Sequence, residues 1–340
     1  MKKTLMSLIL VLTMILSMGA VASTEVATAT FTDNDGVEVT VIQNPTRVAI
    51  YDYAILDMLQ SIGFENTGIE QLIVPTKDTL PEELAFYKAM PDEKVIAGGS
   101  LFVVDWDVLD LVQPEVVILG GRSFGMKAGS DARLSAEDKA QLVADTQARY
   151  ATTAFVKMGA NASNSELLAS MQKNTAMLAR IFPAIADQLN AKLAEITTGM
   201  DEISAKAKES GKSALFCMMV DQTTLSVFSP NSRFDMLYEE FGFAPVDGEA
   251  VKWEDAHGFD VRAEYVLEKN PDVIFVLDRS ATVGSGAGAE NFLNDPIIAK
   301  TNAAANGDIY ILSGNAWYTM TGGFSAAEAM ISDVNQYFSK

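Results

Sequence analysis

The sequence predicts an α/β protein built as two Rossmann-like lobes joined by one long helix, with a ligand cleft between them. Three observations carry that prediction. Short apolar stretches alternate with helical segments in both halves of the chain, the pattern of mostly parallel sheets. An unbroken helical stripe lies mid-chain. A local pattern in the first half recurs 157 residues later in the second.

The elements follow in chain order. Lys2 and Lys3 precede an apolar run from Leu5 to Leu16, and Ala20-Val21-Ala22 forms a small-x-small cleavage site, so residues 1–22 read as a secretory signal peptide. The run is short for a spanning helix, and no later stretch reaches 18 apolar residues. No cysteine follows the cleavage site to carry a lipid, which points to a free periplasmic protein. Asn34-Asp35-Gly36 is expected to turn a small hairpin. The first lobe is expected over 24–182, with strands from Arg47 to Tyr51 and from Glu115 to Leu119.

Ile185, Leu189, Leu193, Ile196, Met200, Ile203 and Ala207 recur at steps of 3 and 4, one face of a helix. Pro183 suits its first turn and Gly211 its stop. The linking helix is therefore expected over 183–209, about 27 residues and about 40 Å at 1.5 Å per residue. The second lobe, 210–340, offers strands at Ala214 to Val220, Leu225 to Phe228, Val273 to Leu277 and Ile309 to Leu312. It also offers helices at Met236 to Glu240 and opening near Asp260.

In the repeat, Asp107 opens a short helix that Pro114 ends, an apolar strand follows, and Arg122-Ser123 emerges from it. Glu264, Pro271 and Arg279-Ser280 repeat every step. Ligands of open α/β sheets bind outside the carboxyl ends of strands, so the two lobes offer two matching half-sites.

The formal net charge is −20, and loss of Lys2 and Lys3 with the leader makes it more negative. Nucleic acid and anionic membranes are thereby excluded as partners. An anionic ligand needs a local cluster of arginines to overcome that field. The single cysteine, Cys217, lies in an apolar run and reads as a core thiol, so no disulfide within the chain is possible.

Arg122 and Arg279 read either as ordinary surface ion pairs or, by their matched strand-end positions, as ligand contacts. Arg233 lies in a turn-rich segment after the strand ending at Phe228. Guanidinium is always charged and forks toward oxyanions, so three converging arginines suit a polyanion. His257, the chain's one histidine, and Tyr318 both lie in expected loops. Each reads as structural or as a ligand, and imidazole with phenolate suits ferric iron. Gly121-Arg122-Ser123-Phe124-Gly125 also satisfies the G-x-S-x-G nucleophile elbow, which leaves a serine hydrolase using Ser123 and His257 as a reading of another class. The recurrence of Arg-Ser at Arg279-Ser280 without flanking glycines explains Ser123 without catalysis. One histidine is too few for an ordinary zinc or manganese site.

Taken with Asp52 to Gly63, Gly99 to Phe102, Pro114 to Ser123 and Tyr265 to Arg279, these features resemble the periplasmic substrate-binding proteins of ABC importers for ferric siderophores, cobalamin and haem. The similarity covers nearly all of the chain after the leader and lies nearest the catecholate-siderophore binders. In those, a histidine in a second-lobe loop and a tyrosine 61 residues later coordinate iron, the spacing of His257 and Tyr318. One first-lobe and two second-lobe arginines surround the catecholates, matching Arg122, Arg233 and Arg279. An acid on each lobe docks on the permease, matching Asp107 and Glu264; the family usually has Glu at the first, so Asp107 is a shorter substitute, with Asp105 nearby.

The resemblance implies a monomeric, non-enzymatic carrier that captures a ferric catecholate siderophore and delivers it to inner-membrane permease subunits. It implies no intrinsic cofactor, Fe(III) being carried as the siderophore complex. A haem or cobalamin binder of the same class is the alternative.

Overall fold

The computed structural model describes residues 26–127, 132–159, 166–246, 258–286 and 288–340. The expected leader and His257 lie outside the described residues. Strands β1 (Thr28–Thr32) and β2 (Glu38–Ile42) pair antiparallel as a hairpin. Its turn is held by Asp33, whose Oδ1 accepts from the N–H groups of Asp35 and Val37, the local bonding that favours aspartate in turns.

The first sheet contains β3 (Arg47–Tyr51), β4 (Gln71–Val74), β5 (Val95–Ala97), β6 (Val116–Leu119) and β7 (Ala154–Lys157), in the order β5-β4-β3-β6-β7. Every pairing is parallel. β4, β3 and β6 lie inside the sheet, and the apolar runs of β3 and β6 are those of strands covered on both faces. The strand order reverses between them, so the ligand crevice of an open α/β sheet falls at their carboxyl ends.

The second sheet contains β8 (Ser213–Met219), β9 (Leu225–Phe228), β10 (Ala244–Pro245), β11 (Phe259–Val261), β12 (Val273–Asp278) and β13 (Ile309–Ile311). Its order is β11-β9-β8-β12-β13, with β10 also on β8. β8, β12 and β13 run parallel, whereas β9 and β11 are antiparallel additions. The reversal point here lies between β8 and β12. Asp260 corrects an expectation, because it lies in β11 and the helix begins at Ala263. The segment extends along the edge of β9, where the Ser226 hydroxyl donates to Asp260 Oδ1 at 2.5 Å.

Between the sheets the chain forms the helix Leu167–Ile181, a 3₁₀ turn at Pro183–Ile185 and the linking helix Ala186–Ser210. The linking helix thus starts three residues later than expected, because proline begins the tighter turn instead. Leu189, Ile196, Met200, Ile203 and Ala207 are buried along one stripe. Gly211 ends it in the left-handed conformation, as a C-terminal glycine does.

One apolar cluster runs from Val48, Ile50 and Leu56 through Ile196 and Met200 of the linking helix to Phe216, Trp317 and Met330. The two halves therefore share a core, and close packing resists their relative motion. A buried carboxylate fastens them further. Asp57, in the helix Tyr53–Ser61, accepts from the Ser325 hydroxyl and from Ala326 N–H at the start of the helix Phe324–Phe338. A side chain at Gly323 would approach Asp57 Oδ2 to 2.2 Å, so only glycine permits this contact. Loss of water raises the Asp57 pKa above the ordinary carboxylate value, although both donors oppose the shift.

Candidate functional site

Arg122 and Arg279 stand at the two crevices. Arg122 follows β6 by two glycines, and Arg279 follows β12 directly as the first residue of a short helix, Arg279–Thr282. The repeat extends to the helices before these strands. Trp106–Val112 and Ala263–Lys269 both end in a left-handed residue, Gln113 and Asn270, just before Pro114 and Pro271.

Arg233 and Tyr318 are each placed by a neighbouring aromatic. Phe234 stacks on Phe216 of β8 at 4.1 Å between ring centroids, and Trp317 packs against the same ring at 5.6 Å. The Trp317 indole N–H also donates to Asp333 at 2.9 Å. Phe234 and Trp317 are fully buried, so Arg233 and Tyr318, one residue along, are left half-buried and directed elsewhere. Tyr318 closes the short helix Gly314–Tyr318 and does not lie in the expected loop. The Asp333 carboxylate explains this, since Ser313 N–H and hydroxyl also bind it at the helix start.

The three arginines converge on Tyr318. Its carbonyl oxygen accepts from Arg122 Nη2 at 2.6 Å and from Arg233 Nη2 at 2.8 Å, and its phenol oxygen accepts from Arg279 Nε at 2.8 Å. The guanidinium carbons lie 5.6, 4.2 and 5.5 Å from the ring centre for Arg122, Arg233 and Arg279, within cation–π range. Arg279 Nη1 also donates to Val220 O, beyond the end of β8, at 3.0 Å. None of the three has a carboxylate within 4.0 Å among the described residues.

Burial and the neighbouring charges of Arg122 and Arg279 lower the Arg233 pKa to about 10, although Tyr318 opposes the shift. Burial alone would raise the Tyr318 phenol, but the Arg279 hydrogen bond and the charges of Arg233 and Arg279 outweigh it and hold the phenol below its ordinary value. The site therefore favours negative charge where Tyr318 stands. A cavity of about 260 Å³ opens here, lined in part by Arg233, Arg279, Tyr318, Phe228 and Arg133. Arg133, from the first half of the chain, was not singled out in the sequence; its counterpart 157 residues on is Glu290, so the repeat gives no signal for it.

Ser123 has a structural occupation. Its buried hydroxyl accepts from Gly120 N–H at 3.0 Å and donates to Tyr51 O at 3.4 Å, closing the turn that carries Arg122. Gly120 is required for another reason, since a side chain there would meet Asp52 Oδ2 at 2.2 Å. Asp107 and Glu264 lie outside the cavity. Both are exposed second residues of their helices, and Asp105 is committed as the N-cap of the first.

Two α/β sheets fused through a helix, with matched strand ends facing one cleft, define a two-lobed binding protein. The periplasmic binding protein family matches residues 48–316, and the chain belongs to that family. It is 26% identical over 311 residues to the petrobactin-binding protein YclQ of Bacillus subtilis, covering 91% of this chain and 86% of that one. It is 24% identical over 299 residues to the ferric-anguibactin-binding protein FatB of Vibrio anguillarum, covering 87% and 83%. Among solved structures, the catecholate-siderophore binding protein VctP of Vibrio cholerae superposes with a TM-score of 0.74 at 26% identity, over 91% of this chain and 100% of that one. Among the described residues no helix is long and apolar enough to cross a membrane.

Proposed function

We propose that the protein is an exported carrier that captures a ferric catecholate siderophore between its lobes and delivers it, without chemical conversion, to an inner-membrane ABC importer. The observation that carries this reading is the convergence of three guanidiniums on one tyrosine, its carbonyl and its phenol, with no carboxylate within 4.0 Å of them among the described residues. Partly buried cations without counter-charge are costly, and an anionic ligand supplies what is missing. A ferric tris-catecholate bears about three negative charges, one for each arginine, in a cleft that partly excludes water. The petrobactin- and anguibactin-binding relatives and the catecholate binder VctP support the same class of ligand.

A cavity of about 260 Å³ lies below the ~300–1,000 Å³ usual for small-molecule sites. Ligand entry therefore requires Arg122 to release the Tyr318 carbonyl and widen the cleft. When the siderophore offers only two catecholates, His257 and Tyr318 fill the remaining iron positions. Asp107 and Glu264 present the docking charges to the permease, and residues 1–22 direct export.

Mixing the purified protein with ferric bis- and tris-catecholates tests this. His257→Ala and Tyr318→Phe weaken the bis-catecholate complex much more than the tris-catecholate one, and the phenolate-to-iron absorption of the former disappears in Tyr318→Phe. Equal losses for the two ligands would refute direct coordination.

A further inference from the structure

We infer that Arg133 is a fourth guanidinium of the cleft, a specificity residue through which the first lobe reads the charge of the bound complex. The inference rests on the ligand class proposed above. Arg133 lines the same cavity as Arg233, Arg279 and Tyr318, yet it precedes the linking helix in sequence and so approaches from the opposite lobe.

Its placement is built into the backbone. Met126 and Arg133 pair in an antiparallel bridge. Lys127 N–H donates to Ala132 O at 2.8 Å, and Leu134 N–H donates to Gly125 O at 3.2 Å. Gly125 N–H in turn donates to Arg122 O at 3.0 Å, so this ladder grows directly from the turn that carries Arg122. Movement of that turn carries Arg133 with it.

The electrostatic situation of Arg133 differs from that of its three neighbours. Arg122, Arg233 and Arg279 are all engaged by Tyr318. Arg133 is exposed, and among the described residues it has no carboxylate within 4.0 Å and no side-chain hydrogen bond. Among the described residues that line the cavity Asp260 is the one acid, and it accepts from Ser226. In a chain of net charge −20, an exposed arginine lining a cationic cavity favours an anion that has just entered.

The consequence is a dependence on ligand charge. An exposed guanidinium at the cavity, screened nearly as in water, changes affinity by about a factor of two to three for each unit of ligand charge. A ferric tris-catecholate of charge −3 therefore loses about tenfold in affinity in Arg133→Ala, and a ferric bis-catecholate of charge −1 loses about twofold to threefold. Arg133→Lys restores most of both. The differences shrink at high ionic strength, since an exposed charge is screened.

The test is a pair of fluorescence titrations, with ferric tris-catecholate and ferric bis-catecholate, on wild type, Arg133→Ala, Arg133→Lys and Arg279→Ala at low and high salt. A graded loss in Arg133→Ala that follows ligand charge and is rescued by lysine supports the inference. Unchanged affinities in Arg133→Ala, equal losses for both ligands, or no rescue by lysine would overturn it. Arg279→Ala separates the role of Arg133 from the ligand class. If it loses affinity while Arg133→Ala does not, only the role of Arg133 falls; if wild type binds neither catecholate, the ligand class itself falls.

Discussion

The turns that carry Arg122 and Arg279 share a sequence pattern but are held by opposite means. In the second lobe, Asp278 anchors the turn: its carboxylate accepts from the Ser280 hydroxyl and from the N–H groups of Ala281, Gly288 and Ala289. Burial alone would raise its pKa, but those donors outweigh it and hold it below the ordinary value. In the first lobe the anchor is neutral, the Ser123 hydroxyl bridging Gly120 N–H and Tyr51 O. The nearby Asp52 carboxylate is raised by loss of water, against its N–H donors and the charges of Arg122 and Lys157. The arginines differ accordingly. Arg279 is fixed within its own lobe by Val220 and Tyr318, whereas Arg122 reaches across the cleft to Tyr318. One arginine is held within its own lobe and the other bridges the two.

Removal of Arg279 has the largest expected effect. Arg279→Ala lowers affinity for a ferric tris-catecholate by roughly a hundredfold, about 3 kcal/mol, the upper range for a hydrogen-bonded charge. Isothermal titration checks this. Arg122→Ala costs roughly tenfold, about 1.4 kcal/mol, because part of its ligand contact replaces the bond to Tyr318. The same variant removes the contact across the cleft without separating the lobes, which the shared core holds, so the radius of gyration in solution scattering stays that of wild type.

Ser123→Ala leaves Gly120 N–H buried without its partner and lowers stability by about 1 kcal/mol, measured by urea unfolding. Ester turnover present in wild type and lost in this variant would instead reinstate the nucleophile elbow. The smallest effect is on pH dependence. Folding lowers the Asp278 pKa from 3.8, so its ionisation stabilises the fold above that value and the gain is lost as pH falls through the lower, folded value. Asp52 is raised from 3.8, so its ionisation costs stability, and that cost disappears as pH falls from above its folded value toward 3.8. Asp278→Asn therefore destabilises at neutral pH and converges on wild type in acid, whereas Asp52→Asn deviates in the opposite direction.

What the sequence made legible follows the same physics. β3, β6, β8 and β12 are internal strands with long apolar runs, so their composition announces them. β5 and β7 are short edges whose strand character comes from pairing with β4 and β6, and β11 forms only because β9 offers an edge at Asp260. In the site, Arg122 and Arg279 were visible through the repeat. Arg233 and Tyr318 were visible through the family resemblance, but not the aromatic pairs that aim them: Phe234 and Trp317 meet on Phe216 from segments far apart in sequence. Arg133 carries no local signal, since only the hairpin ladder and the facing lobe make it part of the cavity.

The proposed site for a ferric catecholate is the three guanidiniums gathered around Tyr318. Titrating wild type with a ferric tris-catecholate while following intrinsic fluorescence tests it most directly, because the buried indole of Trp317 lies one residue from Tyr318. Saturable one-site quenching with a submicromolar midpoint, greatly weakened in Arg279→Ala, is expected. Absence of saturable quenching with catecholates, together with tight binding of haem or a cobalamin, would contradict it.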